Sequence, residues 1–123
     1  MLRNIKYCII EDEYYTLLQL RETLAQLRPN YTLIDTADDC EGLMRCINHH
    51  PDLIIADVRI SDGRSIDVMH ACHCQVPVIF NTAYFDFQNQ LQGLNKVGYL
   101  LKPASPEIIE QSLLNFEKNI LCE

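Results

Sequence analysis

Short apolar runs alternate with amphipathic stretches along the chain, and this alternation constrains the fold more than any other feature of the sequence. The runs are strand-sized and lie at 5–10, around 31–34, and at 52–57, 76–82 and 98–101. A continuous apolar run is typical of a parallel strand that is covered on both faces. The stretches between the runs carry apolar residues at helical spacing. The pattern therefore predicts an α/β protein, a doubly wound five-stranded parallel sheet with five helices.

The helices are predicted from apolar stripes and from their boundary residues. Leucines at 17, 20, 24 and 27 share one face of the first helix, and residues 109, 113, 116 and 120 share one face of the fifth. A short third helix is expected near 66–72 and a weaker fourth over 85–94. The predicted boundaries are Pro29 after the first helix, Asp38 or Asp39 as cap of the second, Pro51 after it, and Ser105 with Pro106 at the start of the fifth.

Size and charge limit what the chain can do. Its 123 residues are the length of one domain, and 48% of them are hydrophobic, enough for a packed core. The formal net charge of -7 argues against a nucleic-acid-binding surface within these residues. We therefore expect any contact with DNA to be made by a domain outside this chain, of which residues 1–123 would be the N-terminal part.

The six cysteines do not indicate a secreted disulfide protein. The first residues, MLRNIKYC, lack the long apolar stretch of a secretion signal. No apolar run approaches the roughly 20 residues needed to span a bilayer. These features favour a reduced, cytoplasmic setting and no membrane contact.

Polar residues follow four of the apolar runs, at the point where each run ends. Glu11 and Asp12 follow the first run, Asp57 closes the third, Thr82 closes the fourth, and Lys102 follows the fifth. Ligands of doubly wound sheets bind outside the carboxyl ends of the strands. We therefore expect these side chains to meet at one edge of the sheet.

Three converging carboxylates require a cation, because their charges otherwise raise one another's pKa. An all-oxygen ligand set suits Mg²⁺ better than zinc, which favours histidine or cysteine. The ion and Lys102 together would balance the three negative charges. A phosphoryl group could then be held by the ion, the Lys102 ammonium and the Thr82 hydroxyl while the Asp57 carboxylate attacks phosphorus.

Four segments together resemble the receiver domains of bacterial two-component response regulators. They are IIEDE, LIIADV, IFNTAY and YLLKP, in this order and spacing, and the resemblance covers nearly the whole chain. The segments NTAYFDF and GYLLKPAS are most similar to receivers attached to LytTR-type DNA-binding domains. The resemblance implies a flavodoxin-like fold with strand order 2-1-3-4-5. It also implies a switch that controls transcription and catalyses only its own phosphorylation and dephosphorylation.

The resemblance also assigns roles to residues. It makes Asp57 the phosphoacceptor, Asp12 and Asp57 direct Mg²⁺ ligands, Glu11 a ligand through water, and the backbone carbonyl of Arg59 a further ligand. Thr82 and Tyr99 would form the switch pair beside Lys102. The implied partners are a sensor histidine kinase and a second copy of the chain, bound through the fourth helix, fifth strand and fifth helix.

The residues two positions beyond the acceptor and the threonine flank the path of an attacking water in receivers. Here they are Arg59 and Tyr84, both large, so we expect a long-lived phosphoryl state. The loop after the acceptor departs from the usual pattern. Ser61 stands where a proline is common, and Ser65 stands where a second glycine is common.

Other functions fit the residues less well. A haloacid-dehalogenase-type phosphatase needs a second aspartate at the position of Arg59, and a flavin phosphate would be repelled by the acidic residues 11–13. A receiver-like module that binds proteins without phosphorylation is left open. The segment HACHC, 70–74, is dense in soft metal ligands, but its spacing matches no zinc motif, and buried thiols near a helix end are the simpler interpretation.

Overall fold

The computed structural model describes residues 4–121, which form seven strands and four α-helices. The strands are β1 (Lys6–Ile10), β2 (Thr32–Ala37), β3 (Leu53–Ala56), β4 (Arg59–Ile60), β5 (Gly63–Arg64), β6 (Val78–Thr82) and β7 (Lys96–Leu101). The helices are α1 (Tyr14–Leu27), α2 (Cys40–Asn48), α3 (Ser65–Ala71) and α4 (Pro106–Leu121). Within residues 4–121, no helix has the length and hydropathy needed to cross a membrane.

Five strands form one parallel sheet in the order β2-β1-β3-β6-β7, which confirms the predicted arrangement. The two short strands β4 and β5 pair antiparallel as a hairpin directly after β3. This hairpin was not predicted, because residues 61–63 were expected to form a loop. The strand β2 extends to Ala37 and β7 starts at Lys96, so both are longer than predicted.

Side-chain alternation along the strands separates the core into two layers. In β1, Cys8 and Ile10 pack with residues of α2 and α3, whereas Tyr7 and Ile9 pack with residues of α1 and α4. The same alternation continues in β3 and β6. Both faces of the central strands are therefore covered, which explains why their sequences are continuously apolar.

The helix boundaries agree with the residues that predicted them. Asp39 caps α2 by accepting a hydrogen bond from the Gly42 amide at 2.7 Å. The Ser105 hydroxyl accepts one from the Ile108 amide at 3.3 Å, at the start of α4. The helix α1 ends at Leu27, two residues before the proline. These caps satisfy amides that the first helical turn leaves without partners.

The predicted fourth helix over 85–94 was wrong, because the segment contains only a 3₁₀ turn at Gln88–Gln90. In an α-helix, the Gln90 carbonyl would accept a hydrogen bond from the Leu94 amide. Here that carbonyl lies 2.8 Å from Nε2 of His70, on α3. The Leu94 amide instead donates to the carbonyl three residues before it, at 3.0 Å. A contact from another element thus replaces a helical hydrogen bond.

Residues 83–94, called the 83–94 segment below, have a backbone that is not helical at Gly93. This residue adopts a φ of +94°, which an α-helix does not allow. Phe87 and Leu91 nevertheless reach the core and are each 5% exposed. The segment is therefore anchored by its apolar side chains even though its backbone is not helical.

Candidate functional site

The backbone of the sheet carries the acidic residues to one edge. The Glu11 amide donates to the Ala37 carbonyl at 2.8 Å, and the Asp57 amide donates to the Ile10 carbonyl at 2.9 Å. On the other side, the Lys102 amide donates to the Thr82 carbonyl at 2.8 Å. These bonds extend the parallel ladders by one residue beyond each strand. The predicted site residues are therefore held by main-chain register at the carboxyl ends of β1, β3, β6 and β7.

Lys102 is the cation of the site. Its Nζ donates to Oδ2 of Asp57 at 2.6 Å and lies 2.9 and 3.1 Å from the two carboxylate oxygens of Glu11. The Lys102 side chain is 18% exposed, and those of its two partners are nearly buried. Such charge-assisted hydrogen bonds in a dry environment are among the stronger polar contacts in proteins.

Burial and ion pairing shift the pKa of two of these groups. Burial raises the pKa of Glu11 above its usual range, although the hydrogen bond and the charge of Lys102 oppose this. Burial lowers the pKa of Lys102, but its hydrogen bonds to Asp57 and Glu11 outweigh burial, so the pKa lies above its usual value. Lys102 is therefore a fixed positive charge.

Glu11, Asp12 and Asp57 form the acidic cluster that the sequence predicted. One carboxylate oxygen from each lies within 4.8 Å of the other two. Asp12 is exposed, whereas Glu11 and Asp57 are 3% and 7% exposed. Oδ1 of Asp57 is buried and accepts no hydrogen bond from residues 4–121. Three oxygen donors around an unsatisfied buried carboxylate fit a hard divalent cation such as Mg²⁺.

Thr82 and Tyr99 are linked through one intervening residue. The Thr82 hydroxyl is fully buried and accepts a hydrogen bond from the Tyr84 amide at 3.3 Å. The Tyr99 hydroxyl donates to the Tyr84 carbonyl at 2.5 Å. Tyr99 is partly buried, and its ring lies 6.1 Å from that of Phe80. The two predicted switch residues therefore both bind the same short stretch of backbone.

Comparisons with known proteins agree with this geometry. The signal receiver domain of a modulated diguanylate cyclase from Desulfovibrio desulfuricans G20 superposes with a TM-score of 0.80 at 26% identity, covering 98% of this chain and 100% of that one. The transcriptional regulatory protein HptR of Staphylococcus aureus is 30% identical over 124 residues, or 94% of this chain. The chain is a receiver domain of the response regulator family.

A further relative bears on the subfamily. The sensory transduction protein LytT of Bacillus anthracis is 25% identical over 118 residues, 93% of this chain, and this supports the likeness to receivers of LytTR-type regulators. The chain spans 48% of the length of HptR and 48% of the length of LytT. No family model matches the sequence.

Arg59 and Tyr84 of the receiver, predicted to control the phosphoryl lifetime, are brought together. The Arg59 guanidinium carbon lies 5.0 Å from the Tyr84 ring centroid and 5.4 Å from that of Phe87. Arg59 is exposed, and Tyr84 is 47% exposed. These distances are within the range of cation–π contacts. The sequence did not identify Phe87, whose apolar character alone gives no signal of this contact.

The hairpin β4–β5 ties the receiver's acceptor loop to its surroundings. The Ser65 hydroxyl, which is fully buried, donates to the Asp57 carbonyl at 2.6 Å. The Ser61 amide donates to the Asp38 carbonyl at 3.0 Å, and Asp62 accepts from the Cys40 amide at 2.8 Å. The loop that departs from the usual receiver pattern is therefore fixed to the N-terminus of α2. The two serines at the unusual positions supply two of these contacts.

The segment HACHC does not assemble a metal site. Within residues 4–121, the acidic cluster is the only group of three or more potential ligands that lie close together. The ring of His70 is engaged with Gln90, and the Cys72 thiol donates to the Met69 carbonyl at 3.7 Å. Cys74 is buried. These contacts agree with the interpretation of thiols near a helix end.

Proposed function

We propose that this receiver is a phosphorylation switch of a two-component system, with Asp57 as the acceptor. It would take the phosphoryl group from a sensor histidine kinase in the presence of Mg²⁺ and act on no external substrate. The carboxylate of Asp57 carries this proposal, because its Oδ2 is bound by Lys102 while its buried Oδ1 accepts no hydrogen bond within residues 4–121. An oxygen of this kind is available to act as a nucleophile.

Each polar residue has a distinct task in this proposal. Glu11, Asp12, Asp57 and the Arg59 carbonyl would hold the ion. When bound, Mg²⁺ would offset the negative charge of the carboxylates and of the phosphoryl oxygens. Lys102 is already beside Asp57 and can pair with a phosphoryl oxygen, and the buried Thr82 hydroxyl can donate to another.

The reaction requires one nucleophile and one leaving group. Oδ1 of Asp57 attacks the phosphorus atom of the kinase's phosphohistidine, and a phosphorus–oxygen bond forms. The phosphorus–nitrogen bond breaks, and its electron pair passes to the imidazole. Positioning and charge stabilisation account for most of the catalysis in such transfers.

Labelling with acetyl phosphate tests the acceptor. The parent should gain the mass of one phosphoryl group only when Mg²⁺ is present, and Asp57→Asn should gain none. Asp86→Asn, an exposed carboxylate on the 83–94 segment, is the matched control and should label like the parent. Equal labelling of Asp57→Asn would refute the acceptor. No labelling of the parent by acetyl phosphate or by a kinase would favour the protein-binding module that works without phosphorylation.

The phosphoryl state is proposed to be long-lived, because Arg59 and Tyr84 together obstruct the approach of water. Their cation–π contact supports this proposal. Arg59→Ala combined with Tyr84→Ala should speed the release of phosphate after the phosphodonor is removed, at fixed Mg²⁺. Cys74→Ala, which removes a buried thiol outside the site, should leave the rate unchanged. If the double variant decays no faster than the parent, motion of the loop around Ser61 becomes the better explanation.

Phosphorylation is proposed to change self-association through β7 and α4 and to control a DNA-binding domain outside this chain, in a cytoplasmic setting. The fourth helix of the predicted surface is not formed, so the 83–94 segment takes its place. Tyr84, Phe85 and Leu101 are 47%, 65% and 46% exposed there. Sedimentation with and without beryllofluoride tests the change, and an unchanged mass distribution at micromolar concentrations would remove the dimer from the proposal.

A further inference from the structure

The ring of Phe87 contacts two guanidinium groups that the hairpin β4–β5 supplies. The guanidinium carbons of Arg59 and Arg64 are each 5.4 Å from its centroid. The ring also meets that of Tyr84 edge-on, with centroids 6.2 Å apart and planes at 85°. Phe87 is 5% exposed, whereas Phe85, two residues before it, is 65% exposed. Phe87 is therefore the buried member of a cation–aromatic cluster.

The two arginines differ in what else holds them. Arg64 donates two hydrogen bonds to Asp67, at 3.0 and 2.7 Å, so its guanidinium is oriented by α3. Arg59 has no carboxylate within ion-pair distance among residues 4–121, and its described guanidinium contacts are the two aromatic rings. The position of Arg59 thus depends on Tyr84 and Phe87. Of these two rings, only that of Phe87 is buried and fixed.

Backbone contacts hold Phe87 in place from both sides. The carbonyl of Phe87 accepts a hydrogen bond from the Gln90 amide at 2.9 Å, and the Gln90 carbonyl is bound to His70. On the preceding side, the backbone of Tyr84 is bound by Thr82 and Tyr99. The 3₁₀ turn that replaces the predicted helix therefore presents this ring to the hairpin.

We infer that Phe87 is a positioning residue that holds the Arg59 guanidinium against Tyr84, and that its effect on the lifetime of the phosphorylated receiver passes through Arg59. This inference rests on the proposed phosphorylation of Asp57. Arg59 lies two residues after the acceptor, and a guanidinium fixed on two rings samples fewer positions than a free one. Loss of the Phe87 contact would free Arg59 and open the path of water to the acyl phosphate.

A double-mutant cycle tests whether Phe87 affects the phosphoryl lifetime through Arg59. Phe87→Leu should speed phosphoryl hydrolysis roughly two- to fivefold, the change expected from a cation–π contact of ordinary strength. In an Arg59→Gln background, the same substitution should change the rate no further, because the group it positions is absent. Phe87→Tyr keeps the ring and should retain the parent rate. Phe85→Leu is the matched control on an exposed neighbour.

A substitution that preserves the shape of the ring separates the contribution of its quadrupole from that of its packing. Pentafluorophenylalanine in place of Phe87 keeps the shape of the ring but reverses its quadrupole, so it should speed hydrolysis as Phe87→Leu does. Nuclear magnetic resonance of the unphosphorylated protein should show the Arg59 side-chain protons shifted upfield by the rings, and this shift should shrink in the fluorinated protein. Circular dichroism checks that each variant is folded.

The outcomes distinguish this inference from the proposed function. Parent protein that takes up no phosphoryl group overturns both. Normal uptake with additive effects of Phe87→Leu and Arg59→Gln overturns the positioning role alone. Normal uptake with a fluorinated protein that decays at the parent rate also overturns it, because packing and not the face of the ring would then be sufficient.

Discussion

Two ion-pair clusters at different places in this receiver each pair one cation with two carboxylates, but they differ in how completely their polar atoms are hydrogen-bonded. In the Lys102 cluster, Lys102 forms ion pairs with Glu11 and Asp57 at the carboxyl edge of the sheet. In the Arg28 cluster, Arg28 forms ion pairs with Glu110 and Glu117 between the end of α1 and the face of α4. In each cluster the cation is largely shielded from water, and so are the carboxylates except that of Glu110, whose side chain is 34% exposed. Their hydrogen bonds show which cluster is structural and which is built to accept a ligand.

The Arg28 cluster is complete. Its guanidinium makes five hydrogen bonds, equal to its number of donors, at distances of 2.6 to 3.2 Å. Four go to the carboxylates of Glu110 and Glu117 and one to the Leu27 carbonyl. The Tyr31 hydroxyl also donates to Glu117. This cluster therefore links the end of α1, the helix α4 and the residue before β2, and it leaves no guanidinium donor of Arg28 for a ligand.

The Lys102 cluster, by contrast, contains a buried polar atom without a hydrogen bond from the described part of the chain. Oδ1 of Asp57 is buried without a hydrogen bond from residues 4–121, and Asp12 adds a third carboxylate nearby. Unsatisfied buried polar atoms are rare in folded proteins and concentrate where a ligand or a reaction completes them. The number of ion pairs therefore does not separate the two clusters. The buried Asp57 oxygen without a hydrogen bond from these residues does.

Removal of the structural cation should have the largest effect. Arg28→Met leaves Glu110 and Glu117 without their partner, and we expect a loss of about 3 kcal/mol in the free energy of unfolding, at the low end of the range for broken buried pairs. The Arg28 side chain is only 12% exposed, so water cannot fully replace these bonds. Urea denaturation followed by circular dichroism measures the change.

An exposed pair provides the control for that experiment. Arg45 bonds to Asp35 at 2.8 Å, but its side chain is 53% exposed. Arg45→Met should therefore shift the urea midpoint much less than Arg28→Met. Equal shifts would show that satisfaction of the Arg28 cluster adds nothing to stability, and the contrast between the two clusters would lose its physical basis.

Mg²⁺ should complete the other cluster and stabilise the fold by an intermediate amount. At a free concentration ten times its Kd, an ion that binds only the native state adds about 1.4 kcal/mol to the free energy of unfolding. Asp12→Asn should abolish this gain. Thermal denaturation with and without Mg²⁺ measures it.

The same variant shows whether the cluster is strained without the ion. Asp12 is exposed, and Asp12→Asn removes one of three neighbouring negative charges. Without Mg²⁺ the variant should unfold at no lower temperature than the parent. A marked loss of stability under these conditions would mean that Asp12 supports the fold and is not only a ligand of the ion.

The smallest effect on stability is expected when the Glu110 carboxylate of the Arg28 cluster is removed. This effect should depend on pH. The hydrogen bond from Arg28 lowers the pKa of Glu110 below its usual range. A carboxylate with a lowered folded-state pKa contributes stability above its unfolded pKa of about 4.3, and the contribution is lost as the pH falls through the folded pKa. Glu110→Gln should therefore lower the urea midpoint near neutral pH. The difference in urea midpoint between this variant and the parent should shrink as the pH falls.

The control for this pH dependence lies on the neighbouring helix. Glu22 is exposed on α1 and forms no ion pair with any of residues 4–121. Glu22→Gln removes the same kind of charge without breaking a described ion pair, so it should change the urea midpoint near neutral pH much less than Glu110→Gln does. If the urea midpoint of Glu110→Gln still differs from that of the parent at low pH, the effect comes from packing and not from charge.

The sequence predicted the acidic cluster and its lysine because local patterns determine where strands end. Continuous apolar runs must be buried, and the polar residues that follow them are then carried to one edge. Glu11, Asp57 and Lys102 were found in this way, and the structure brings them within hydrogen-bonding distance of one another through Lys102. Their roles in phosphorylation are still predictions.

Two features near the site could not be predicted in the same way. The hairpin after Asp57 involves only four paired residues, too few for an alternation pattern. In the 83–94 segment, the Gln90 carbonyl pairs with the ring of His70, which is distant in the chain. Local propensity indicated a helix there, and a tertiary contact overrode it.

Sequence patterns were sufficient to predict the α/β class and the edge at which the polar residues meet, and the resemblance to receivers implied the strand order. The class and the edge follow from burial of apolar runs, which is local and additive along the chain. The contacts of Phe87 with Arg59 and Arg64, and the unpaired Asp57 oxygen in the Lys102 cluster, became visible in the folded chain alone. Contacts of this kind depend on directions and distances between side chains far apart in sequence, and composition and periodicity contain neither.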